Sequence, residues 1–399
     1  MKKLSLAVLG LYIGILGAFS QNNTKDSLYR SRKLTFEEAN IVTSYYHQDG
    51  NNSAVTGGVG TEKLTDYSNS FEVRLQKFDR RNRKHSLDVE VGVDYYTSAS
   101  SDKINPATIS SASSADVRVY PSINWSRENE VTGTTIGAGV SASAEYDYQS
   151  LGANFRFAQK TRDKSGELSV KLQAYLDNLK LIYPIELRPF SNRKDDDNEY
   201  ASTPRNSYSG SLGYSQIINQ RLQVELLADL IYQKGYLGLP FHRIFFYGNT
   251  EGIEKLPTTR LKIPLGIRLN YFIGDKIIVR TFYRYYQDDW GLKAHTANIE
   301  LPIKLSSFFS ISPFYRYYTQ VGVDYFAPYQ QHKTTDQYYT SNYDLSTFKS
   351  DFYGAGIRVS PPKGVMGIQH LAALELRYGH YSKNIGMQSD IVTMHLNFK

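Results

Sequence analysis

Basic residues of the C-terminal half are the side chains of this sequence with the clearest capacity for chemistry. They lie in segments where apolar and polar residues alternate, and each is on the polar side of its segment. Arginine and lysine gathered around a pore select the ions that pass through it. The residues concerned are Arg260, Lys262, Arg268, Arg280, Arg284, Arg316, Arg358 and Arg377.

Acidic residues occupy the same polar faces, and they concentrate in the N-terminal half of the chain. Opposite charges on neighbouring strands attract one another, so the two sets could also brace a closed wall as a ladder of ion pairs. Ion selectivity and bracing are compatible, and both interpretations stay open. The acidic residues are Glu72, Asp88, Glu90, Asp94, Asp116, Glu225, Asp229, Asp288, Glu300 and Glu375.

The segment 47–64 carries Asp49, Asn51, Asn52 and Ser53 beside several glycines. Oxygen ligands at close spacing next to glycine can bind calcium. The same residue types also serve tight turns for backbone reasons. No glutamate closes a twelve-residue calcium-binding frame, so a turn-rich loop is favoured and these four residues are weak candidates for ion binding.

The sequence predicts no catalytic residue, no metal site and no cofactor. It contains no cysteine, which excludes disulfides, thiolate metal sites, a cysteine nucleophile and a lipid-anchored cysteine. Its 8 histidines form no HExxH or HxxxH pair. A hydrolase is the weaker alternative, because His380 and Ser382 share one face of a strand but lack a recognisable third partner.

The elements that carry these residues are long β-strands. Apolar and polar residues alternate over about ten positions, as in 87–96, 116–125 and 261–270. Strands of soluble sandwiches are about 5–6 residues long, whereas strands that cross a bilayer as a barrel need about 9–11. The fold class is therefore predicted as all-β, an antiparallel transmembrane barrel with apolar residues facing lipid and charges facing the lumen.

Sixteen strands are predicted, with fourteen or eighteen as alternatives. Their connections alternate between short and long, and the long ones fall at one end of the strands, as in outer-membrane barrels. The barrel is expected to occupy residues 34–399. The predicted strands are 36–47, 68–78, 85–96, 116–126, 132–146, 149–158, 167–181, 206–217, 222–235, 260–272, 277–287, 292–304, 308–319, 350–360, 371–382 and 388–399.

The first 20 residues have the pattern of a cleaved secretory signal peptide. Lys2 and Lys3 precede an apolar run of about 16 residues from Leu4 to Phe19, and the small residues Ala18 and Ser20 stand at positions −3 and −1 of a cleavage site after Ser20. A membrane-spanning helix needs about 20 apolar residues. Residues 21–33 are then a periplasmic lead, and the outer membrane of a Gram-negative bacterium is the predicted location.

Two partners follow from this location. Of the 33 tyrosines, pairs such as Tyr45 and Tyr46 lie near outer strand ends, where aromatic rings meet outer-membrane lipid. The last strand ends in Phe398 and Lys399, which is an imperfect match to the signal read by the outer-membrane insertion machinery. The net charge of +7 arises partly from the lumen, and no motif supports nucleic acid as a partner.

Four strings resemble one family of predicted outer-membrane barrels, the domain of unknown function 3570 family. They are YYHQDGNNSAVTGG (45–58), DYYTSASSD (94–102), GLPFHR (238–243) and YRYYQDDW (283–290). The resemblance spans most of the chain after residue 20. It implies an outer-membrane setting of Bacteroidetes type and no established activity, so it supplies no catalytic residue.

The functional prediction is a porin or channel for small polar solutes, with an anion preference from the basic lumen residues. The alternative is a plugged scaffold barrel that binds a lipoprotein, a periplasmic protein or an electron carrier. An enzyme is not expected. A 16-stranded barrel leaves an aqueous channel unless loops fill it, so the state of the lumen separates the two main hypotheses.

Overall fold

The chain forms a single closed antiparallel barrel of sixteen strands in a computed structural model. The structure describes residues 32–97, 115–188 and 200–399. Neighbouring strands pair in chain order, and the last strand pairs with the first from Ala39 opposite Phe398 to Asp49 opposite Gln388. Within the described residues no helix is long and apolar enough to cross a membrane.

The first nine strands each span 11 to 18 residues, which suits a bilayer crossing. They are β1 (Thr35–Asp49), β2 (Leu64–Phe78), β3 (Lys84–Thr97), β4 (Ala115–Asn129), β5 (Thr134–Ala144), β6 (Tyr148–Lys160), β7 (Gly166–Lys180), β8 (Ser202–Asn219) and β9 (Leu222–Gly235). A small hairpin follows in the next outer connection, formed by β10 (Arg243–Phe245) and β11 (Glu251–Ile253).

The remaining strands close the ring. They are β12 (Thr259–Ile273), β13 (Ile277–Asp288), β14 (Lys293–Glu300), β15 (Ile303–Lys304), β16 (Phe309–Val321), β17 (Phe348–Val359), β18 (Leu371–Lys383) and β19 (Met387–Phe398). The predicted strand 292–304 is interrupted between β14 and β15 by Pro302, which has no N–H to donate to the ladder. The pair β14 and β15 counts as one barrel strand, because both lie between β13 and β16.

Alternate residues of each strand face opposite sides of the wall. Leu172, Leu265 and Leu376 at the middle of their strands are about half exposed, as expected for side chains that face lipid. Their polar neighbours face the lumen, where cross-strand polar contacts join them. The strands were therefore predicted correctly in number, type and facing, because period two leaves only one apolar face per strand.

The tyrosine pairs form only half of the predicted aromatic girdle. Tyr45, Tyr95 and Tyr378 face outward and are exposed, whereas Tyr46 and Tyr96 point inward and donate hydrogen bonds to Gln48 and Glu145. The prediction was wrong for one member of each adjacent pair, because neighbouring residues of a strand cannot share a face.

The longest described connections lie at the outer end as predicted, although three outer connections are short and one inner connection, 360–370, is long. The inner turns span residues 79–83, 130–133, 161–165, 220–221, 274–276, 305–308 and 360–370, and the last of them contains a short 3-10 turn (Val365–Gly367). Among the outer connections, 50–63, 236–258 and 322–347 are long, while 145–147, 289–292 and 384–386 are short. The predicted signal peptide and nearly all of the lead 21–33 lie outside the described residues.

Substitution of Leu172 by Arg tests the facing of the barrel wall. The change places a charge against lipid near the middle of β7, so we expect the free energy of unfolding in lipid vesicles to fall by about 2–4 kcal/mol. Gln173→Arg is the matched control, since residue 173 faces the lumen and should cost much less. Urea unfolding followed by tryptophan fluorescence measures both, and equal losses would contradict the assignment.

Candidate functional site

All eight predicted basic residues lie on the lumen side of β12 to β18. Each alternates with an outward apolar side chain, as Lys262 does with Ile263 and Arg316 does with Tyr315. We call this set the basic wall: Arg260, Lys262, Arg268, Arg280, Arg284, Arg316, Arg358 and Arg377. The role of these residues in selectivity stays a prediction, while their common face is a property of the fold.

Five members of the basic wall form ion pairs with acidic residues, all on the same or neighbouring strands except the pair of Arg377 on β18 with Glu300 on β14. The pairs are Arg260 with Asp288 (2.5 Å), Arg268 with Glu225, Arg280 with Glu300 (3.8 Å), Arg358 with Glu375 (3.5 Å), and Arg377 with Glu300 (3.1 Å) and Glu375 (3.2 Å). These contacts are the bracing ladder that the sequence allowed.

Lys262, Arg284 and Arg316 form no ion pair within the described part of the chain. The guanidinium group of Arg316 lies over the ring of Phe352 at 5.8 Å, which holds it along the wall. Even the paired Arg280 remains 49% exposed. Water therefore reaches these arginines at the middle depth of the barrel, and their charges are available to a solute.

The acidic side chains of β2 and β3 form the opposite part of the lumen wall. We call Glu72, Asp88, Glu90 and Asp94 the acidic wall. Arg74 binds Glu72 at 3.4 Å and Asp88 at 2.6 Å and so neutralises part of this set. The lumen thus has acidic and basic sides, as the uneven distribution of charge along the sequence predicted.

Three long outer connections interlock above the barrel. We call 50–63, 236–258 and 322–347 together the outer cap. Lys255 and Tyr339 exchange two backbone hydrogen bonds, and Tyr247 N–H donates to His332 O at 2.8 Å. Gly58 has a φ of +85°, and a side chain there would meet Ser341 O at 2.6 Å, so glycine permits the close approach of the first loop.

A buried carboxylate ties the cap together. Glu254 is 4% exposed and accepts hydrogen bonds from Leu239 N–H at 2.6 Å and Thr340 Oγ1 at 2.5 Å. The imidazole of His242 lies 3.8 Å away. Burial alone would raise the pKa of Glu254, but the nearby His242 and the two hydrogen bonds outweigh it and hold that pKa below its usual range.

The cap rests on the outer ends of the basic half of the barrel. Trp290, Leu292 and Ala294 at the β13–β14 connection form a buried cluster with Leu237 and Val323 from the cap. A second contact is polar. Gln320 of β16 donates to Asp344 O at 2.9 Å, and Lys383 of β18 pairs with the Asp344 carboxylate at 2.5 Å. The cap thus covers one side of the outer mouth.

On the other side of the mouth, a cavity of about 640 Å³ separates the cap from the barrel wall. Residues of β3 to β8 line it together with cap residues. The lining includes Tyr96, Asp116, Arg118, Glu145, Tyr148, Arg205, Glu62, Leu239, Phe241, His242, Arg243 and Asp344. Burial raises the pKa of the Glu62 carboxyl in this cavity. Among the described residues, the cavity leaves room for a small solute beside the cap.

A carboxylate cluster at this cavity was not predicted from the sequence. Asp116, Glu145 and Asp147 place one oxygen each within 4.8 Å of one another, because β4 and β5 pair and bring their outer ends together. Such oxygens are the ligand type of divalent cations. Tyr96 donates a hydrogen bond to Glu145, and Arg118 lies 3.6 Å from it. Burial raises the pKa values of Glu145 and Asp147.

Two of the four weak calcium candidates, Asn52 and Ser53, are packed within the outer cap in this structure. Asn52 Nδ2 donates to Ile385 O at 2.5 Å, and Ser53 is fully buried. Asp49 and Asn51 lie exposed at the start of the same loop. The contacts of Asn52 and Ser53 are those of a packed loop, and calcium binding by these four residues stays a prediction.

The hydrolase candidates His380 and Ser382 lie on the face of the barrel wall that points away from the lumen. His380 Nδ1 and Asp390 Oδ1 are 2.9 Å apart, which orients the imidazole. Ser382 lies two residues along the same strand, and no described hydrogen bond joins its hydroxyl to His380. The orienting pair is present, but the contact that activates a serine nucleophile is not among the described hydrogen bonds.

These features define a class of protein. A closed antiparallel barrel with an apolar outer face, a charged inner face and long connections at one end is a β-barrel of the bacterial outer membrane. The chain belongs to the family described as "Protein of unknown function (DUF3570)", whose model matches residues 103–388. This result confirms the resemblance read from the sequence.

Similar solved structures are also outer-membrane proteins. OccK1 (OpdK) of Pseudomonas aeruginosa is 7% identical over 93% of this chain and 99% of its own, with a TM-score of 0.40. A BenF-like porin of Pseudomonas fluorescens Pf-5 is 9% identical over 93% and 100%, with a TM-score of 0.44. At such scores these likenesses carry no argument about function. No curated protein matches the sequence significantly.

Substitution of Glu254 by Gln tests the cap. The change removes the negative charge of the carboxylate that accepts the Leu239 and Thr340 hydrogen bonds. Hydrogen bonds to a charged acceptor contribute about 2 kcal/mol to stability. We expect the protection of the Leu239 amide against hydrogen exchange to fall roughly thirtyfold. Glu251→Gln, at an exposed position of the same loop, is the control and should leave protection unchanged. Equal hydrogen-exchange protection of the Leu239 amide in both variants would show that the Glu254 carboxylate does not stabilise the cap.

The same carboxylate predicts a pH dependence. Because the pKa of Glu254 in the folded cap lies below its ordinary value of 4.5, ionised Glu254 stabilises the cap fully above that pH. The stabilisation is lost as the pH falls through the lowered folded value. Exchange of the Leu239 amide, corrected for its intrinsic rate, should therefore accelerate on acidification in the wild type and stay nearly flat in Glu254→Gln.

Proposed function

We propose that this barrel is a diffusion channel for small polar solutes with a preference for anions. The observation that carries the proposal is the hydrated basic wall. Arg268, Arg280 and Arg358 are 46%, 49% and 47% exposed although they point into the barrel. A lumen filled by a plug at this depth would bury these side chains, and in the described residues they remain open to water.

The entry route of this channel is the cavity beside the outer cap. The cap narrows the mouth on the basic side of the barrel, and the cavity of about 640 Å³ lies on the other side. A restricted mouth favours small solutes over polymers. Below it, exposed guanidinium groups attract anions and repel cations.

The alternative, a plugged scaffold for a lipoprotein or electron carrier, has one observation in its favour. The cap is packed and internally hydrogen bonded instead of open, as the Lys255 and Tyr339 pair illustrates. It lies at the mouth, however, and the arginines below it are exposed. Conductance separates the two proposals directly.

Planar-bilayer recording tests the channel. We expect stepwise, sustained conductance and a reversal potential displaced toward that of chloride in a potassium chloride gradient. The double variant Arg284→Gln/Arg316→Gln should lower the anion-to-cation permeability ratio by up to about thirtyfold, because each of the two charges is worth about 1 kcal/mol to an ion in contact with it. Both residues lack an ion pair in the described structure, so their loss should not disturb the bracing ladder.

Lys276→Gln is the matched control, because Lys276 is an exposed cation in an inner turn. It should leave the reversal potential unchanged. No conductance from correctly folded protein, together with a partner that copurifies at fixed stoichiometry, would support the scaffold and overturn the channel. An unchanged reversal potential in the double variant would refute the role of the basic wall.

A further inference from the structure

The acidic and basic walls of the lumen face each other across the barrel. In the sixteen-strand ring, seven strands lie between β3 and β13 in either direction, so the two lie at opposite ends of a diameter. Carboxylates of β3 and guanidinium groups of β13 both point inward, since they alternate with outward Val91, Tyr95 and Tyr283. The lumen therefore carries negative charge on one side and positive charge on the other.

The opposed charges also lie at matching depths. Asp94 and Glu90 are three and seven residues below Thr97, the outer end of β3. Arg284 and Arg280 are four and eight residues below Asp288, the outer end of β13. Successive residues of a strand advance by about 3.3 Å, so each carboxylate has a guanidinium group nearly level with it on the far wall.

These facing groups keep most of their charge. Asp94 accepts hydrogen bonds from the hydroxyls of Ser68 (2.6 Å) and Tyr120 (3.0 Å), and Glu90 accepts one from Ser70 (2.8 Å). No ion pair involving either carboxylate occurs among the described residues.

On the opposite wall, Arg284 has no ion pair in the described structure, and Arg280 has only a long contact of 3.8 Å with Glu300. Hydroxyl donors fix a carboxylate in place without cancelling its charge. Arg118 of β4 is the register partner of Asp94, but its ion pair is with Glu145 at 3.6 Å, so no ion pair in the described residues neutralises Asp94 or Glu90.

We propose that the lumen selects small zwitterions, with the ammonium end turned to Asp94 and Glu90 and the carboxylate end turned to Arg284 and Arg280. A zwitterion lowers its energy by aligning with the electric field between the two walls, which runs across the barrel axis. An uncharged solute of equal size gains little from this field. A planar guanidinium group without an ion pair is well suited to bind a carboxylate with two hydrogen bonds.

Two simpler solute classes fit less well. A simple anion is drawn to the basic wall and gains nothing from the carboxylates of β3, and a simple cation is drawn only to the acidic wall. Amino acids and very short peptides carry both charges, which makes them the class that uses both walls. This inference rests on the proposed channel function and names the solutes it would carry.

Liposome swelling with the whole reconstituted barrel tests the inference. The probes are glycylglycine, a zwitterion, and N-acetylglycinamide, an uncharged molecule of similar size. We expect glycylglycine to enter about threefold faster. Glu90→Gln/Asp94→Asn and, separately, Arg280→Gln/Arg284→Gln should each bring the two rates together. Glu251→Gln/Asp275→Asn, which removes two exposed acids outside the lumen, should keep the advantage of glycylglycine.

Each outcome decides a different point. Equal rates for both probes in a conducting wild-type barrel would overturn the selection of zwitterions and leave the channel standing. No swelling with either probe, although the barrel is folded by heat-modifiability on gels, would overturn the channel itself. An advantage for glycylglycine that survives in both lumen variants would refute the two-wall arrangement. The single variants Glu90→Gln and Arg284→Gln give the same readout if a double variant fails to fold.

Discussion

The backbone hydrogen bond between the first and last strands is the constraint on which the rest of the molecule depends. Hydrocarbon offers no partner to an unpaired N–H or C=O group, so a sheet that crosses a bilayer must have no free edge. The pairing of β1 with β19 over eleven residue pairs removes that edge. Closure then divides every strand into a face for lipid and a face for the lumen, and the charged walls described above lie on the second face.

This division explains why so much of the fold could be predicted from the sequence. Period two, strand length and the alternation of connection lengths are local properties, and they sufficed for sixteen strands and for the lumen side of all eight basic residues. The errors have local causes as well. Adjacent tyrosines such as Tyr45 and Tyr46 cannot share a face. Pro302 interrupts the hydrogen-bond ladder of the predicted strand 292–304, although the apolar pattern continues through it.

Features that join distant parts of the chain could not be predicted in the same way. Asp116 meets Glu145 only because β4 and β5 are paired, and Glu254 meets Thr340 only because two outer loops fold over each other. Neither contact leaves a spacing or a period in the sequence. The charged residues of the lumen could be identified from the sequence. That the acidic and basic residues face each other across the barrel could be deduced only from the number of strands and the order in which they pair.

The outer cap has a consequence for the order of assembly. It joins Gly58 to Ser341 and Lys255 to Tyr339, contacts between segments that are far apart along the chain. The entropy of closing such long loops must be overcome before the contacts stabilise anything, so distant pairings form late. The strands on both sides of 322–347 have to be in place before the cap can lock. By the same reasoning we expect the cap to form late, as we do the closing pair of β1 and β19, whose partners lie still farther apart along the chain.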